Sequence, residues 1–324
     1  MRTNEFRYSR NVPADANSYT LNCRVWLPDN CDPYAILQVI HGMTEHMGRY
    51  TALAEHLTAH GIAVAGFDLR GHGRNQGDPD CASFVSGKTD SHSGWDASLN
   101  DIDRFSQLLH EQFPNAKHFM LGFSLGSFLL RDYMIRFPCN HLCGVILMGT
   151  GDQPAGVLKV MKAIVKTQIR KAGVGHTTDL VRKLSFGVYN NKFKPTNTRA
   201  DWLTSDEYAR GQYLGDPLCR KDIAADLFYE LLSAMERTGK VKQINHNHDL
   251  NNFPVLLLSG ADDPVGDMLK GIHSLRKKLG KAGMTNVYMI SYPGGRHDIL
   301  QEKKEIAQSV SSDILEFIRH YASK

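Results

Sequence analysis

In the stretch HFMLGFSLGS at residues 118–127, an apolar strand-like run passes directly into a helix-like one. Ser124 stands at the junction, with Gly122 and Gly126 two positions before and after it. A serine on a sharp strand-to-helix turn needs small residues at those positions, since a side chain there would collide with the neighbouring strand or helix. The turn exposes the hydroxyl, and the helix N-terminus behind it offers N–H groups to a developing oxyanion. The stretch therefore predicts a nucleophile at Ser124.

Two later strand-like runs end in the groups that a nucleophilic serine requires, a base and a carboxylate that orients the base. The run at 254–258 is followed by Asp262 and Asp263, and the run at 287–292 is followed by His297. Sites on parallel sheets are built just past the carboxyl ends of strands. We therefore predict Asp263 as the acid and His297 as the base, with Asp262 less favoured because a shift of one residue re-aims a loop side chain. The alternatives are that Asp263 is a turn residue and that His297 is an ordinary loop histidine.

A third strand end supplies candidates for stabilising the oxyanion. The apolar run at 35–40 ends in the sequence HGMTEH at 41–46, where a glycine lets two backbones approach closely. The loop after the third strand usually provides one oxyanion N–H group, and the residue after the nucleophile provides the other. We therefore assign the two backbone donors to Met43 and Leu125.

Three patterns could indicate a metal or a cofactor. His41, Glu45 and His46 resemble a short His/Glu cluster, but their spacing differs from that of a helical His-Glu-x-x-His zinc site. The His-x-His pair at 246–248 has no carboxylate or cysteine partner at ligand spacing. The GTG sequence at 149–151 lacks the third glycine of a dinucleotide-binding turn. We therefore expect no metal and no cofactor.

Four blocks of the chain resemble the monoacylglycerol lipase, lysophospholipase and serine aminopeptidase-like branch of the α/β-hydrolases. They are HGMTEH at 41–46, GFDLRGHG at 66–73, GFSLGS at 122–127, and GADD at 260–263 together with His297. The resemblance covers nearly the whole chain except its middle, and the second block is the most discriminating. It implies an α/β-hydrolase fold, with the nucleophile at Ser124, the acid at Asp263, the base at His297 and the oxyanion donors at Met43 and Leu125.

Strand-like and helix-like runs alternate along most of the chain. The strand-like runs lie at 4–8, 18–26, 35–40, 62–68, 118–122, 144–148, 254–260 and 287–292, and helical patterns lie at 49–60, 97–113, 124–136, 267–280 and 302–321. This alternation predicts an α/β protein with a mostly parallel, eight-stranded sheet and helices on both faces. Between 148 and 254 only helical patterns follow, near 157–171, 178–184, 206–213 and 223–237. We expect a core of residues 1–148 and 254–324, and a helical cap insertion of residues 149–253 that lies over the site.

The composition excludes several classes of protein. The chain has 324 residues and a net charge of only +4, which gives no global electrostatic case for a nucleic-acid partner. No apolar run approaches eighteen residues, and the N-terminal sequence MRTNEF lacks the apolar stretch of a secretory signal. The six cysteines are scattered and show no Cys-x-x-Cys spacing, as in a reducing compartment. A cytoplasmic location is the expectation, and nothing in the sequence indicates an oligomeric state.

One local segment is strongly basic. It begins at Val157 and ends at Lys171, and at helical spacing it places four cations on one face and apolar residues on another, without one acid. A basic amphipathic helix can make transient contact with an anionic membrane surface. The alternative is a cap helix whose apolar face packs inward and whose cations are merely solvated.

Together these observations predict a serine carboxylic ester hydrolase that acts through a Ser-His-Asp triad and an acyl-enzyme. The expected substrate is a small acyl ester, a medium- or long-chain acyl lipid of the monoacylglycerol or lysophospholipid type. One alternative is a serine peptidase or amidase of the same fold, in which an acid at Asp201, Asp206, Glu207 or Asp216 would recognise a substrate amine. Another is a non-catalytic binding protein that retains the hydrolase fold.

Overall fold

The computed structural model describes residues 1–9, 20–75, 81–84, 94–244 and 250–324. Its centre is an eight-stranded sheet in which only the second strand runs against the others. In spatial order the strands are β1 (Arg2–Ser9), β2 (Thr20–Leu27), β4 (Ile62–Phe67), β3 (Ala35–Ile40), β6 (Lys117–Phe123), β7 (Leu142–Met148), β9 (Val255–Gly260) and β10 (Val287–Tyr292). A separate parallel pair joins β5 (Cys81–Ala82) to β8 (Asp222–Ile223). The mostly parallel, eight-stranded sheet expected from the sequence is confirmed.

Helices cover both faces of the sheet. The helices of the described residues, including those of the insertion after β7, are α1 (Thr51–Thr58), α2 (Gly94–Gln112), α3 (Leu125–Arg136), α4 (Ala155–Ala172), α5 (Asp179–Arg182), α6 (Val188–Asn190), α7 (Glu207–Gly215), α8 (Ala225–Thr238), α9 (Val241–Ile244), α10 (Lys270–Lys281) and α11 (Lys304–Ala322). Short 3-10 turns lie at Met47–Tyr50, Asn191–Phe193 and Ile299–Gln301, and a π turn lies at Lys183–Gly187.

The core has two layers, one on each face of the sheet. Side chains of α1 and α11 pack on one face, and those of α2, α3 and α10 pack on the other. Every residue of β3, β4 and β9 is buried, which explains why these strands appear in the sequence as continuous apolar runs rather than alternating ones. The carboxyl ends of β3, β6 and β9 therefore meet at one edge of a rigid sheet.

Residues 149–253, called the cap below, follow β7 and precede β9. Within this segment α8 packs on α4, and it also contacts α3 of the core. Leu158 and Val165 on α4 are buried, and Lys162 Nζ lies 2.8 Å from Glu236 Oε2 of α8. The apolar face of α4 therefore packs inward. Whether the cap is a separate domain with these boundaries stays a prediction.

One helix begins later than its sequence pattern predicts. The pattern starts at 267, but α10 begins at Lys270 because Asp267, Met268 and Leu269 all have positive φ angles, of 48°, 51° and 74°. Three successive left-handed residues cannot belong to a right-handed helix. The His-x-His pair at 246–248 lies outside the described residues. Among the described helices, none is both long and apolar enough to cross a membrane.

Candidate active site

Ser124 lies on a sharp turn between β6 and α3, with φ 50° and ψ −116°. Its N–H donates to the carbonyl oxygen of Met148 at 3.0 Å, which anchors the turn to the neighbouring strand. A Cβ atom on Gly126 would lie 2.0 Å from the carbonyl oxygen of Ile40, and one on Gly122 would lie 2.4 Å from that of Gly126. Because a carbon atom cannot approach a backbone oxygen so closely, both positions require glycine.

The hydroxyl of Ser124 is in contact with His297, which in turn contacts a carboxylate. His297 Nε2 lies 2.8 Å from Ser124 Oγ, and His297 Nδ1 lies 2.9 Å from Asp263 Oδ1. His297 and Asp263 are buried, with 1% and 0% of their surface exposed, whereas Ser124 is 9% exposed. Since a carboxylate only accepts hydrogen bonds, Nδ1 carries the proton and Nε2 is left to accept from the serine. Asp262 is exposed and has no such contact with His297 among the described residues.

The carboxylate is itself held in place by the backbone. Asp263 Oδ1 also accepts from the N–H of Val265 at 2.9 Å. A Cβ atom on Gly260 would lie 2.1 Å from the carbonyl oxygen of Arg296, so the end of β9 touches the backbone of the loop that follows β10. This contact sets the distance between the loop that carries Asp263 and the loop that carries His297.

The two predicted oxyanion donors lie on segments that pack against each other. Leu125 is the first residue of α3, where a backbone N–H has no acceptor within its own helix. Among the described residues, the N–H of Met43 also has no hydrogen-bond acceptor. Thr44, the next residue, has a positive φ of 64°, and Gly42 approaches Phe123 so closely that a Cβ atom would lie 2.8 Å from its ring. The loop after β3 thus packs against the residue that precedes Ser124.

A buried ionic chain links the Met43 loop to the histidine loop. Glu45 Oε1 accepts from the N–H of Gly42 at 2.6 Å, and Arg49 Nε lies 2.9 Å from Glu45 Oε2. The other side of the same guanidinium donates to Asp298 Oδ2 at 2.8 Å. Burial raises the pKa of Asp298 to about 6, although the charge of Arg49 acts against this shift. One arginine therefore spans the loops that carry Met43 and His297.

The block at 66–73 supports these loops and does not face the serine. Asp68 accepts from the N–H of Met47 at 2.9 Å and from that of Arg74 at 2.8 Å. The N–H of Leu69 donates to His41 Nε2 at 2.8 Å, so His41 Nδ1 carries a proton and donates to the carbonyl of Gly42. Burial lowers the pKa of His41. Buried in this way, His41 is a neutral structural group.

The His/Glu cluster at 41–46 does not converge on one point. His41 and Glu45 are used as described above, whereas His46 Nε2 lies 2.8 Å from Asp216 Oδ2 in the cap. His46, Asp216 and Cys219 do place one potential ligand atom each within 4.8 Å of one another. His46 Nδ1 accepts from the N–H of Gly48, so Nε2 donates to Asp216, and burial raises the pKa of the Cys219 thiol to about 12. These hydrogen bonds connect the loop after β3 to the cap.

Aromatic side chains surround the candidate base. The ring centroid of His297 lies 5.0 Å from that of Phe123 and 4.9 Å from that of Trp202 in the cap. Phe186 stacks on Trp202 at 5.5 Å, and Tyr189 lies 5.3 Å from the same ring. The space next to His297 is therefore apolar and sheltered from water.

The cap also forms hydrogen bonds with the loops that carry Met43 and His297. The N–H of Asp298 donates to the carbonyl of Leu203 at 2.8 Å, next to His297. On the other side, Tyr213 OH lies 2.7 Å from Thr44 Oγ1, and the N–H of Arg220 donates to the carbonyl of Thr44 at 3.0 Å. Cap residues are thus part of the framework that positions the site.

The four cap acids that could have recognised an amine have other partners. Asp206 caps α7 through the N–H of Ala209, and Asp216 bonds to His46 as described above. Asp201 is 5% exposed and lies against Arg210, which also pairs with Glu207 at 3.7 Å. Within the part of the chain that the structure describes, each of these carboxylates has a structural contact.

Sequence reasoning missed several residues that contact the site. Trp202 and Tyr213 lie in the cap, where no motif marked them. Arg49 lies four residues after Glu45, and this i,i+4 spacing of opposite charges on a turn was an available signal. Asp298 follows His297 directly, but a loop aspartate carries no pattern of its own.

Comparison with known proteins adds a family and a fold. A family model described as Serine aminopeptidase, S33, matches residues 32–304. The monoglyceride lipase of Rattus norvegicus is 24% identical over 326 residues, which cover 97% of this chain and 94% of that protein. A carboxyl esterase from Bacillus coagulans in complex with glycerol superposes with a TM-score of 0.84, at 23% identity and over 99% of both chains. A soluble variant of monoglyceride lipase from Saccharomyces cerevisiae in complex with a substrate analog gives a TM-score of 0.70, at 19% identity and over 97% of this chain and 94% of that one. The expected α/β-hydrolase fold is confirmed.

Proposed function

The chain belongs to the hydrolase family described as Serine aminopeptidase, S33, and on that premise we propose that it hydrolyses acyl lipid esters with Ser124 as nucleophile. His297 is the base in this proposal and Asp263 is the acid. The observation that carries it is the continuous contact from Ser124 Oγ to His297 Nε2, at 2.8 Å, and from His297 Nδ1 to Asp263 Oδ1, at 2.9 Å. These distances lie within the range for proton transfer from a nucleophile to its base.

The proposed reaction has two halves. Ser124 Oγ attacks the ester carbonyl carbon while its proton moves to His297 Nε2, and the oxyanion that forms accepts from the N–H groups of Met43 and Leu125. The imidazolium, stabilised by Asp263, then protonates the leaving alcohol as the ester bond breaks. In the second half, water attacks the acyl carbon while its proton moves to His297 Nε2; the imidazolium then returns this proton to Ser124 Oγ as the acyl–serine bond breaks, and the carboxylic acid leaves.

The aromatic surroundings of His297 support an acyl lipid as substrate. Phe186, Tyr189 and Trp202 form an apolar wall that a medium- or long-chain acyl group can contact. Relatives named monoglyceride lipase cover almost the whole chain, which favours a glycerol ester of this kind. We extend the proposal to monoacylglycerol and lysophospholipid types of ester.

The two alternative functions are less well supported. A peptidase that recognises a substrate amine needs an accessible carboxylate near Ser124, whereas three of the four candidate cap acids, Asp201, Asp206 and Asp216, are engaged elsewhere. A non-catalytic protein would have no use for a buried His297 in contact with both a serine and a carboxylate. Hydrolysis of amino-acid arylamides without hydrolysis of esters would reverse this ranking.

Replacement of the proposed nucleophile tests the function. We expect Ser124→Ala to lower kcat for p-nitrophenyl butyrate by about 10⁴-fold or more and to abolish labelling by a fluorophosphonate. Ser309→Ala, which removes an exposed hydroxyl on α11, is the matched control and should keep both activities. Retained turnover in folded Ser124→Ala protein would disprove the proposal.

The contact of the basic segment with membranes stays a separate prediction. Val157 and Val160 on α4 are 47% and 62% exposed, next to exposed Lys159. Lys162, by contrast, is paired with Glu236, so only part of the basic face is available. Cosedimentation with anionic vesicles that Val160→Asp does not weaken would count against this contact.

A further inference from the structure

Thr44, which follows the proposed oxyanion donor Met43, has a backbone conformation that a threonine rarely adopts. Its φ angle of 64° lies in the left-handed region, where a side chain branched at Cβ is crowded by its own backbone. Thr44 is also buried, with 1% of its surface exposed. Local preference therefore does not set the conformation of this loop, and contacts from other segments must hold it.

Two of those contacts come from one segment of the cap. The N–H of Arg220 donates to the carbonyl oxygen of Thr44 at 3.0 Å, and Tyr213 OH lies 2.7 Å from Thr44 Oγ1. Thr44 Oγ1 has a single hydrogen, which it donates to the carbonyl oxygen of Met43. The hydrogen in the bond between the two hydroxyls must therefore belong to Tyr213. A relay of hydrogen bonds thus runs from the phenol of Tyr213 through Thr44 to the backbone of Met43.

The peptide that carries the Met43 N–H is held from the core as well. Its carbonyl, that of Gly42, accepts from His41 Nδ1 at 2.7 Å. Because a trans peptide is planar, its N–H points away from its carbonyl, and so away from His41. His41 therefore fixes the peptide that precedes the Met43 side chain, whereas the relay from Tyr213 fixes the carbonyl that follows it.

The side chain of Tyr213 depends on this hydrogen bond for its own position. The guanidinium carbon of Arg49 lies 5.2 Å from the centroid of its ring. The ring also lines a cap cavity of about 370 Å³, so packing around it is incomplete on that side. Burial raises the pKa of the phenol to about 12, which keeps it protonated and able to donate. The bond to Thr44 is thus a directional contact in a place where packing alone leaves room.

We infer that Tyr213 is a positioning residue for the oxyanion hole, which through Thr44 holds the Met43 N–H in place, so that the cap completes the hole. This inference rests on the proposed function of Ser124. An N–H group stabilises an oxyanion best when it is already oriented before the charge develops. Loss of the relay should therefore weaken binding of the transition state and leave binding of the substrate almost unchanged.

Removal of either hydroxyl of the relay tests the inference. We expect Tyr213→Phe to lower kcat for p-nitrophenyl butyrate by about tenfold, with KM within about twofold, because the ring stays and only the hydrogen bond is lost. Thr44→Val removes the other hydroxyl and should give a similar loss. The double variant should be no worse than the more impaired single variant, since both changes break one relay. Thr44→Ser, which keeps the hydroxyl, should lose much less than Thr44→Val.

A second measurement reports on the oxyanion directly. Ser124 Oγ adds to the carbonyl carbon of an alkyl trifluoromethyl ketone while the serine proton moves to His297, and the hemiketal oxygen that forms carries a negative charge in the oxyanion hole. We expect the inhibition constant of this ketone to rise in Tyr213→Phe by the same factor by which kcat/KM falls. Tyr208→Phe, which removes an exposed hydroxyl on the same helix α7, is the matched control and should change neither value.

The outcomes separate the inference from the function on which it rests. A Tyr213→Phe variant whose kcat and ketone inhibition match those of wild type, or whose loss lies in KM alone, would overturn the role of Tyr213. Losses that multiply in the double variant would also overturn it, because the two hydroxyls would then act independently. Absence of Ser124-dependent turnover of p-nitrophenyl butyrate in wild type would instead count against the proposed function.

Discussion

The carboxyl edge of the sheet and the cap are built by different kinds of contact. At the edge, Gly126 and Gly260 touch neighbouring backbones, so that a Cβ atom on either would lie about 2 Å from a carbonyl oxygen, at 2.0 and 2.1 Å. In the cap, a Cβ atom on Gly156 or Gly211 would meet nothing within 4 Å. The edge therefore fixes the positions of reacting atoms through the backbone, whereas the cap shapes its cavity through side chains that can be exchanged.

Buried charged groups also have different contacts in the two regions. At the edge, Asp298 and Glu45 share the guanidinium of Arg49, which contacts both. In the cap, Glu230 of α8 accepts from the N–H of Trp95 at 3.1 Å, and burial together with the charge of Asp226 raises its pKa to about 7. Buried charges at the edge are thus joined by ion pairs, whereas a buried charge in the cap can lower the stability of the fold.

The largest contrast should come from adding one methyl group in each region. Gly126→Ala forces a carbon into the carbonyl oxygen of Ile40, so we expect a loss of about 4 kcal/mol or more in the free energy of unfolding, or no folded protein. Gly211→Ala lies inside α7 in open space and should be neutral or stabilise by up to about 1 kcal/mol. Urea unfolding of both variants measures the difference, and similar stabilities would refute the contrast.

A smaller contrast concerns the removal of one cation. Arg49→Met leaves Glu45 and Asp298 buried without a counter-charge, and should cost about 3–5 kcal/mol in stability and lower kcat. Adding Asp298→Asn to that variant should restore part of the stability. Lys162→Met in the cap breaks a partly exposed pair with Glu236 and should cost at most about 1 kcal/mol. If the two single variants unfold at the same urea concentration, the ionic chain does not hold the edge together.

The smallest expected effect depends on pH. The folded chain releases the Glu230 proton near pH 7, and the unfolded chain releases it near pH 4.5, so wild-type stability falls as the pH rises between these values. Glu230→Gln removes this loss, because the amide oxygen can still accept from Trp95. We expect the variant to be more stable than wild type by about 1–3 kcal/mol above pH 7, with the advantage vanishing toward pH 4.5. Exposed Glu316→Gln is the control, and an advantage of Glu230→Gln that does not change with pH would contradict the assignment.

The sheet could be predicted well because its strands carry their own signal. The predicted strands at 35–40 and 287–292 match β3 and β10 residue for residue. β3 is fully buried, whereas β10 is a partly exposed edge strand, but both are short runs rich in apolar and aromatic residues bounded by turn residues, and these features are local. The start of α10 could not be predicted, because the positive φ angles of Asp267 to Leu269 arise from how that loop packs.

The candidate site likewise has residues that the sequence predicts and residues that it does not. Ser124, Asp263 and His297 follow strand ends in a fixed order, so their meeting at one edge follows from the parallel sheet. Trp202 and Tyr213 come from the cap, where helices of similar pattern can pack in many ways. Their contacts with His297 and Thr44 depend on that packing, and no spacing in the sequence encodes it.

The elbow at Ser124, the mostly parallel sheet and the residues that follow its strand ends could be predicted from the amino-acid sequence, because they depend on local apolar runs and on glycine. The folded chain was needed to see that Arg49 joins two loops and that Trp202 and Tyr213 line one cavity. Side chains far apart in the chain become neighbours through packing, which burial of apolar surface drives without regard to the polar groups it brings together.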